Sequence, residues 1–516
     1  MKLKTALLSI LTLLVSSLHA AEQTVSENIT TDTTWSAGTD YILADYIFVT
    51  NGATLTIEPG VTVKANQGTG NAAPALIVTQ GAKINAAGTS SAPIVFTSVT
   101  DTGSLTKDDK GLWGGLIILG KAPINSNGKA TDNDPLTNQI EGVPTTSGIS
   151  GEVFDASYSS YGGNDASDNS GVLKYVSIRH GGAIIGEGNE INGLTLGGVG
   201  NGTVIENIEV FANSDDGIEF FGGSVNARYL SVAFCGDDSF DFDEGYNGHL
   251  QFLLSLQDEN SNRAIEWDGS TESNERAAST TSLPAWSAPV ISNMTAIGIG
   301  KDGTSSHEDN NVGMEIRDNG AGQVWNSIFT EFAKSILDID NSAGETDDDG
   351  NLKDKGTLND ATGSKGSQAM LELGNLAFKG NIFWNGGTGN TALGAAENDK
   401  IVSDIVFATD NNNSYDVDPL LVDDLVADGA VAPFPATGSP ALSGADTLGS
   451  TSFLTQTSFR GAFSSTLNWL DGWTVVDSSG LTADLVVSSA TGTQTITSNI
   501  TTDTTWSAGT DYILAD

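Results

Sequence analysis

The 516-residue chain holds a single cysteine, Cys235, so no internal disulfide can form. A thiol alone in an apolar setting behaves as a small buried hydrophobe. Basic residues are equally scarce: 22 Lys and Arg stand against 65 Asp and Glu, a formal net charge of −43. That balance argues against nucleic acid and anionic membrane surfaces as partners, since both require clustered positive charge. No stretch reaches the roughly 18 apolar residues that a spanning helix needs, so no transmembrane segment is expected. Zinc-ligand spacing, a phosphate loop and a nucleophile motif are all missing, and His180, His249 and His307 are too scattered for a metal triad.

What the chain does have is a leader-like start. Lys2 and Lys4, the apolar run ALLSILTLLV and then SSLHA read as a secretory signal peptide over residues 1–20, cleaved after Ala20. Losing those two lysines takes the formal charge from −43 to −45. The expected location is secreted, extracellular or on the outer cell surface of a bacterium. No cysteine follows the cleavage region, so a lipoprotein-type lipid anchor has no attachment point. An exported chain without disulfides must be held by its core.

Between Val204 and Asp268 one short pattern is written three times, as GIEFF, SFDFD and AIEWD. Gly217, Ser239 and Ala264 share a column, as do Ile218, Phe240 and Ile265, then Glu219, Asp241 and Glu266, then Phe220, Phe242 and Trp267; the period is 22, then 25. Upstream of each copy lies a second apolar run, Ile208 and Val210, then Leu230 and Val232, then Leu253 and Ser255. Repeats of this length, with alternating apolar and polar positions and turns rich in Gly, Asn and Asp, mark a β-solenoid whose coils stack over one core. The 61 glycines supply turn residues for many short strands. A further column of Tyr175, Asn207, Tyr229, Phe252, Asn293, Asn326 and Asn381 tracks one strand through the domain. Where its gaps exceed the basic period, loops must leave the solenoid: Gly269 to Ala288, Lys301 to Asn311 and Ala343 to Gly366.

The opening coils carry a resemblance. ATLTIEPGVTVK followed by GAKINAAGTSSAPIVFTS resembles the start of secreted bacterial right-handed parallel β-helix proteins, the pectate-lyase-like fold in the broad sense. The resemblance implies an all-β, right-handed parallel β-helix with loop insertions over residues 21–485. It says nothing of chemistry, because that fold hosts lyases, hydrolases and adhesins alike. GLWGGLIILGKAPIN is expected as a buried strand pair, with Trp113 either core or a sugar-stacking platform, followed by a long surface excursion through Asn169. FATDNNNSYDVDPLL and ATGSPALSGA read as closing coils, and residues 459–477 as a terminal cap whose two Trp cover the open end of the core. Residues 499–516 repeat Asn28 to Asp45 letter for letter, 471 residues on, so 486–516 reads as the start of a second unit. A tandem array and a head-to-tail assembly by strand addition both fit.

Alternation along each strand places Ile218 and Phe220 inward, and turns Glu219, Asp241, Asp243, Glu266 and Asp268 outward, continuing through Glu315, Asp338 and Asp340. Carboxylates stacked about 4.8 Å apart repel by about 0.9 kcal/mol in water and more near protein. Calcium, which takes carboxylate oxygens in flexible geometry, would relieve the row; a screened, solvated face in a salty medium would also do so. A second calcium candidate lies in ETDDDGNLKD, where Glu345, Asp347 and Asp349 alternate ahead of Gly350, although Lys353 and Gly356 stand where later ligands would fall.

Catalysis is the rival expectation. Asp215 with Asp216, and Asp237 with Asp238, stack one coil apart; Arg263 continues the column and Arg317 lies two residues past Glu315. The SDDGIEF string resembles the aspartate pair of polygalacturonase-like hydrolases, but that pattern's later elements are missing: His180 and Gly181 precede the aspartates and no RIK follows. An active site breaks a repeat locally, whereas here the carboxylates are the repeat. The chain is therefore read as an exported acidic surface or matrix module, without enzymatic activity, stabilised by calcium and binding carbohydrate or a cell-surface component. A polysaccharide lyase or glycoside hydrolase acting on acidic glycans is the alternative.

Overall fold

The computed structural model describes residues 20–125, 137–185, 191–269, 286–306, 311–341, 366–387, 399–415, 417–423, 431–449, 452–478, 492–496 and 510–514. The expected leader and the loop bearing Asp347 and Asp349 lie outside them.

Two parallel sheets are wound from successive coils. The larger has sixteen strands and takes in Gly171–Arg179, Val204–Phe211, Ala227–Ala233, His249–Leu256 and Val290–Ile297; the second has nine, from Ile47–Val49 through Leu194–Gly197, Ile218–Phe221, Phe240–Asp243, Arg263–Asp268 and Val312–Arg317 to Ser335–Ile339. The register is the one the repeat demands: Ile218 pairs Phe240 and Phe240 pairs Ile265, with Glu219, Asp241 and Glu266 stacked beside them. Inward side chains of both sheets, among them Ile218, Phe220, Phe240, Phe242, Trp267 and Leu230, meet in one apolar cluster that runs the length of the coil. The fold is an all-β parallel β-helix.

Corners are set by left-handed residues. Tyr175, Asn207, Tyr229, Phe252, Asn293 and Asn326 all have φ between 49° and 61°, which bends each long strand in the middle. Such a conformation disfavours side chains by about 1–2 kcal/mol, and stacking of Tyr229 on Phe252 at 4.9 Å offsets part of that. A second left-handed residue follows five positions later in five coils: His180, Ala212, Phe234, Glu331 and Asn385. Asn381 does not belong to the first column. Trp325 pairs Lys379 and Ile328 pairs Ile382, so Gly380 (φ 69°) occupies the corner after Asn326. A Cβ there would meet Asn326 Oδ1 at 2.4 Å, so glycine fits where an asparagine would clash.

The outward column of the second sheet runs Phe48, Ile77, Ile117, Thr195, Glu219, Asp241, Glu266, Glu315, Asp338. Its apolar start is covered. Phe154 and Tyr158 pack on Phe48 at 4.8 and 4.7 Å, and Ile140 and Tyr161 join Ile77 and Ile117 in the same cluster. The expected surface excursion is thus a lid of apolar contacts on the outside of the sheet. GLWGGLIIL supplies one strand, Leu116–Leu119, rather than two. Trp113 is 1% exposed and its indole N–H donates to the Arg179 carbonyl at 2.8 Å, so it cannot serve as a sugar platform.

Residues 459–477 do not close the end of the core. They run along the outer face of the large sheet, where Phe463, Trp469, Leu470, Trp473 and Val476 cover Phe211, Phe234, Phe252, Leu256 and Ile297. Polar contacts fix the strap coil by coil: Asn293 Nδ2 donates to the Phe459 carbonyl at 3.1 Å, Thr295 Oγ1 accepts from Ala462 N–H at 2.9 Å, and Glu209 Oε1 accepts from Val475 and Val476 at 2.7 and 3.2 Å. The outward side of the large sheet explains this, because Phe211, Ala233, Leu254, Leu256 and Ile297 there are apolar and need cover, while Glu209 and Thr295 between them supply polar anchors. The stretches expected as closing coils, 407–421 and 436–445, hold the short 3-10 turns Thr409–Asn411 and Pro440–Leu442; the helix Asp399–Val406 precedes them, and between them the strand Leu421–Asp423 pairs antiparallel with Ala432–Pro435. At the C-terminal end, Gly492–Ile496 pairs in parallel with Thr510–Leu514, Gly492 opposite Thr510, just as Ala21 stands opposite Thr39.

Candidate functional site

Three columns of side chains form the acidic face. Ahead of the strands lie Asn192, Asp216, Asp238 and Arg263; on them, Thr195, Glu219, Asp241, Glu266 and Glu315; at their ends, Asp243, Asp268 and Arg317. Asp215 and Asp237 flank the first column, with Asn262 Nδ2 donating to Asp237 Oδ1 at 2.9 Å. The sheet therefore brings together every repeat-borne residue singled out above, catalytic and metal candidates alike, on one face.

The expectation of a solvated face is overturned. Asp238 is 1% exposed, Glu219 6%, Asp216 7% and Asp268 8%, while Asp241, Asp243 and Glu266 are half-buried. These side chains lean along the stack: Asp216 Oδ1 accepts the Asp238 N–H, Asp238 Oδ1 accepts the Arg263 N–H at 2.6 Å, and Asn192 Nδ2 donates to Glu219. Sequence reasoning missed Asn192 and Thr195. Setting NGLTLGG on DGIEFFGG would have placed both in their columns.

Charge divides the face in two. On the later coils Arg263 pairs with Asp238 at 3.6 Å, Glu266 at 3.5 Å and Glu315, while Arg317 pairs with Glu266 and Asp268, donating to Asp268 Oδ2 at 3.0 Å. Burial raises Glu266, but Arg317, the hydrogen bond with Asp238 and Arg263 outweigh it and bring its carboxyl to about 2. On the earlier coils no Lys or Arg forms an ion pair with Asp216, Glu219 or Asp241 among the described residues. Burial first, then neighbouring carboxylates, hold all three well above the usual carboxylate range, and Asp238 and Asp243 likewise.

One oxygen from each of Asp216, Glu219 and Asp241 lies within 4.8 Å of the other two. That spacing suits a shared ion bound at about 2.3–2.6 Å from each oxygen. Asp241 Oδ1 and Asn192 Oδ1 are buried and meet no hydrogen-bond donor among the described residues. The donors are all oxygens, so the set fits a hard cation such as calcium.

A family model described as a pectate-lyase like beta helix domain matches residues 27–392. The chain belongs to this family. No curated protein matches it. In this pectate-lyase-like β-helix protein the two histidines among the described residues are engaged elsewhere: His180 is buried with Nδ1 2.6 Å from the Asp109 carbonyl, and His249 contacts Asn226; His307 lies outside the described residues. Cys235 is buried and its thiol is pushed up to about 12, so it carries no reactive thiolate. Among the described residues no helix is long and apolar enough to cross a membrane.

Proposed function

We propose that this pectate-lyase-like β-helix protein is an exported, non-catalytic surface or matrix module whose acidic face binds calcium, and through calcium the carboxylates of an extracellular acidic glycan. The observation that carries this reading is the triad of buried Asp216 and Glu219 with half-buried Asp241, to none of which a Lys or Arg is ion-paired among the described residues. Carboxylates this close and this poorly solvated are costly, with only the charge of Arg317 easing Asp241, and a divalent ion or retained protons would supply the balance. Net charge supports a cation-rich, extracellular setting and disfavours nucleic acid.

Lyase chemistry remains the second reading, favoured by the pairing of Asp215 and Asp216 with Asp237 and Asp238 on one face. Against it, Arg263 and Arg317 are both committed to two or more carboxylates, which leaves neither guanidinium open to a substrate proton.

The test is a thermal melt at neutral pH in EDTA and after calcium is restored, paired with incubation on acidic polysaccharides. A melting temperature that rises with calcium, with no unsaturated uronate and no new reducing ends, is the expected result. No response to calcium, or glycan cleavage, overturns the reading.

A further inference from the structure

The loop ahead of Trp113 lies across the coils of His180, Phe234 and Asp258. Gly111 N–H donates to the Gly181 carbonyl at 2.8 Å and Leu112 N–H to the His180 carbonyl at 2.9 Å, which fixes the backbone beside Lys110. From there Lys107 and Lys110 both reach Asp258, whose side chain is 1% exposed.

The two lysines are placed differently. Lys107 Nζ donates to Asp258 Oδ2 at 3.0 Å and is shared with Asp108 and Glu259. Lys110 Nζ is buried, meets no hydrogen-bond partner among the described residues, and faces Asp258 Oδ1 at 3.6 Å. It stands near enough to Cys235 for the buried thiol to feel its charge. A buried ammonium without an acceptor is costly.

We propose that Lys110 and Asp258 condense into an isopeptide bond that ties this loop to the coil stack. Lys110 Nζ bonds to Cγ of Asp258 and the Cγ–Oδ1 bond breaks, its electron pair leaving with the oxygen. Two of the three ammonium protons depart with Oδ1 as one water, and the third stays on the amide. The step balances without a co-reactant.

The surroundings suit it. As nitrogen adds, negative charge grows on the two oxygens, where Lys107 Nζ stands 3.0 Å from Oδ2 and the Asn260 N–H 2.9 Å from Oδ1. Groups held about 3–3.5 Å apart gain effective concentrations that reach about 10⁵–10⁸ M, and Lys110 Nζ stands 3.6 Å from an oxygen bonded to Cγ. Burial keeps out the water that would reverse the reaction. In the product both charges are gone and Oδ2 keeps its hydrogen bond from Lys107. A chain whose one cysteine is buried and free thereby gains a covalent tie between distant segments, which restricts its unfolded state as a disulfide would.

Tryptic digestion of the denatured full chain with mass spectrometry of the fragments tests the bond. The expected product is a branched peptide joining the segments around Lys110 and Asp258, lighter by one water than the two together, with no cleavage after Lys110. Lys110→Arg keeps the charge but cannot form this amide, and is expected to give the two peptides separately. The wild-type digest decides even if that variant fails to fold. Separate wild-type peptides of full mass, cut after Lys110, mean an ordinary ion pair and overturn the proposal; a branched peptide that persists in Lys110→Arg places the bond on another residue and overturns it too.

Discussion

The carboxylate of Asp216 accepts the backbone N–H of Asp238, one coil further on, at 2.8 Å, and Asp238 does the same for Arg263 at 2.6 Å. Each side chain thus serves the coil stack and the acidic pocket together. Asp216→Ala leaves the buried Asp238 amide without its acceptor and is expected to cost about 1–3 kcal/mol in denaturant unfolding, with or without calcium. Asp216→Asn keeps an acceptor oxygen and removes a buried charge. It is expected to melt higher than wild type in EDTA, yet no longer to gain stability from calcium.

Arg263 is nearly buried and serves Asp238, Glu266 and Glu315. Arg263→Met strands those carboxylates, and removing one partner of a buried ionic group costs about 3–5 kcal/mol. Urea unfolding at neutral pH should show a loss of that size; a loss under about 1 kcal/mol would mean that the pairs contribute as surface bridges do.

Asp216, Glu219, Asp238, Asp241 and Asp243 titrate above the ordinary range because burial, and after it like charge, disfavours ionisation. Above about pH 4 the folded chain therefore keeps protons that the unfolded chain has released. Stability from these groups is present at low pH and lost as pH rises through their folded values. Glu266, at about 2, acts oppositely and loses its contribution only as pH falls from about 4 toward 2. In EDTA the melting temperature should fall as pH rises above about 4, the ordinary carboxylate value, and saturating calcium should flatten that fall, since the ion takes the proton's place.

Trp473, 3% exposed, stands edge-on to Tyr175 at 5.5 Å and anchors the strap beside Glu209. Trp473→Ala is expected to cost about 3–5 kcal/mol. Because the strap lies outside the coil, limited proteolysis should cut first within residues 455–478 while far-UV circular dichroism keeps its β signal. Simultaneous loss of both would mean that the strap and the coil unfold as one.

Much of the coil was legible because period-2 alternation and a near-constant repeat length act locally: Ile218, Phe240 and Ile265 pair as their spacing required. Which side of the sheet Glu219 faces followed from the same rule. How deeply it is buried did not, since that depends on Asn192 from the preceding coil and on how Asp216 and Asp238 lean along the stack. The strap was misplaced for a related reason. Its partners Glu209, Thr295 and Asn293 are more than 160 residues away in sequence, and no short-range pattern reports them. Gly380 in place of Asn381 was a slip of one residue, decided by steric room at Asn326 that letters do not carry.

The most direct test of the account is anomalous diffraction from crystals of the chain grown with terbium in place of calcium. The account predicts a strong peak about 2.3–2.6 Å from oxygens of Asp216, Glu219 and Asp241. Fully occupied terbium elsewhere on the chain, with these three carboxylates hydrogen-bonded to one another and no peak between them, would contradict it.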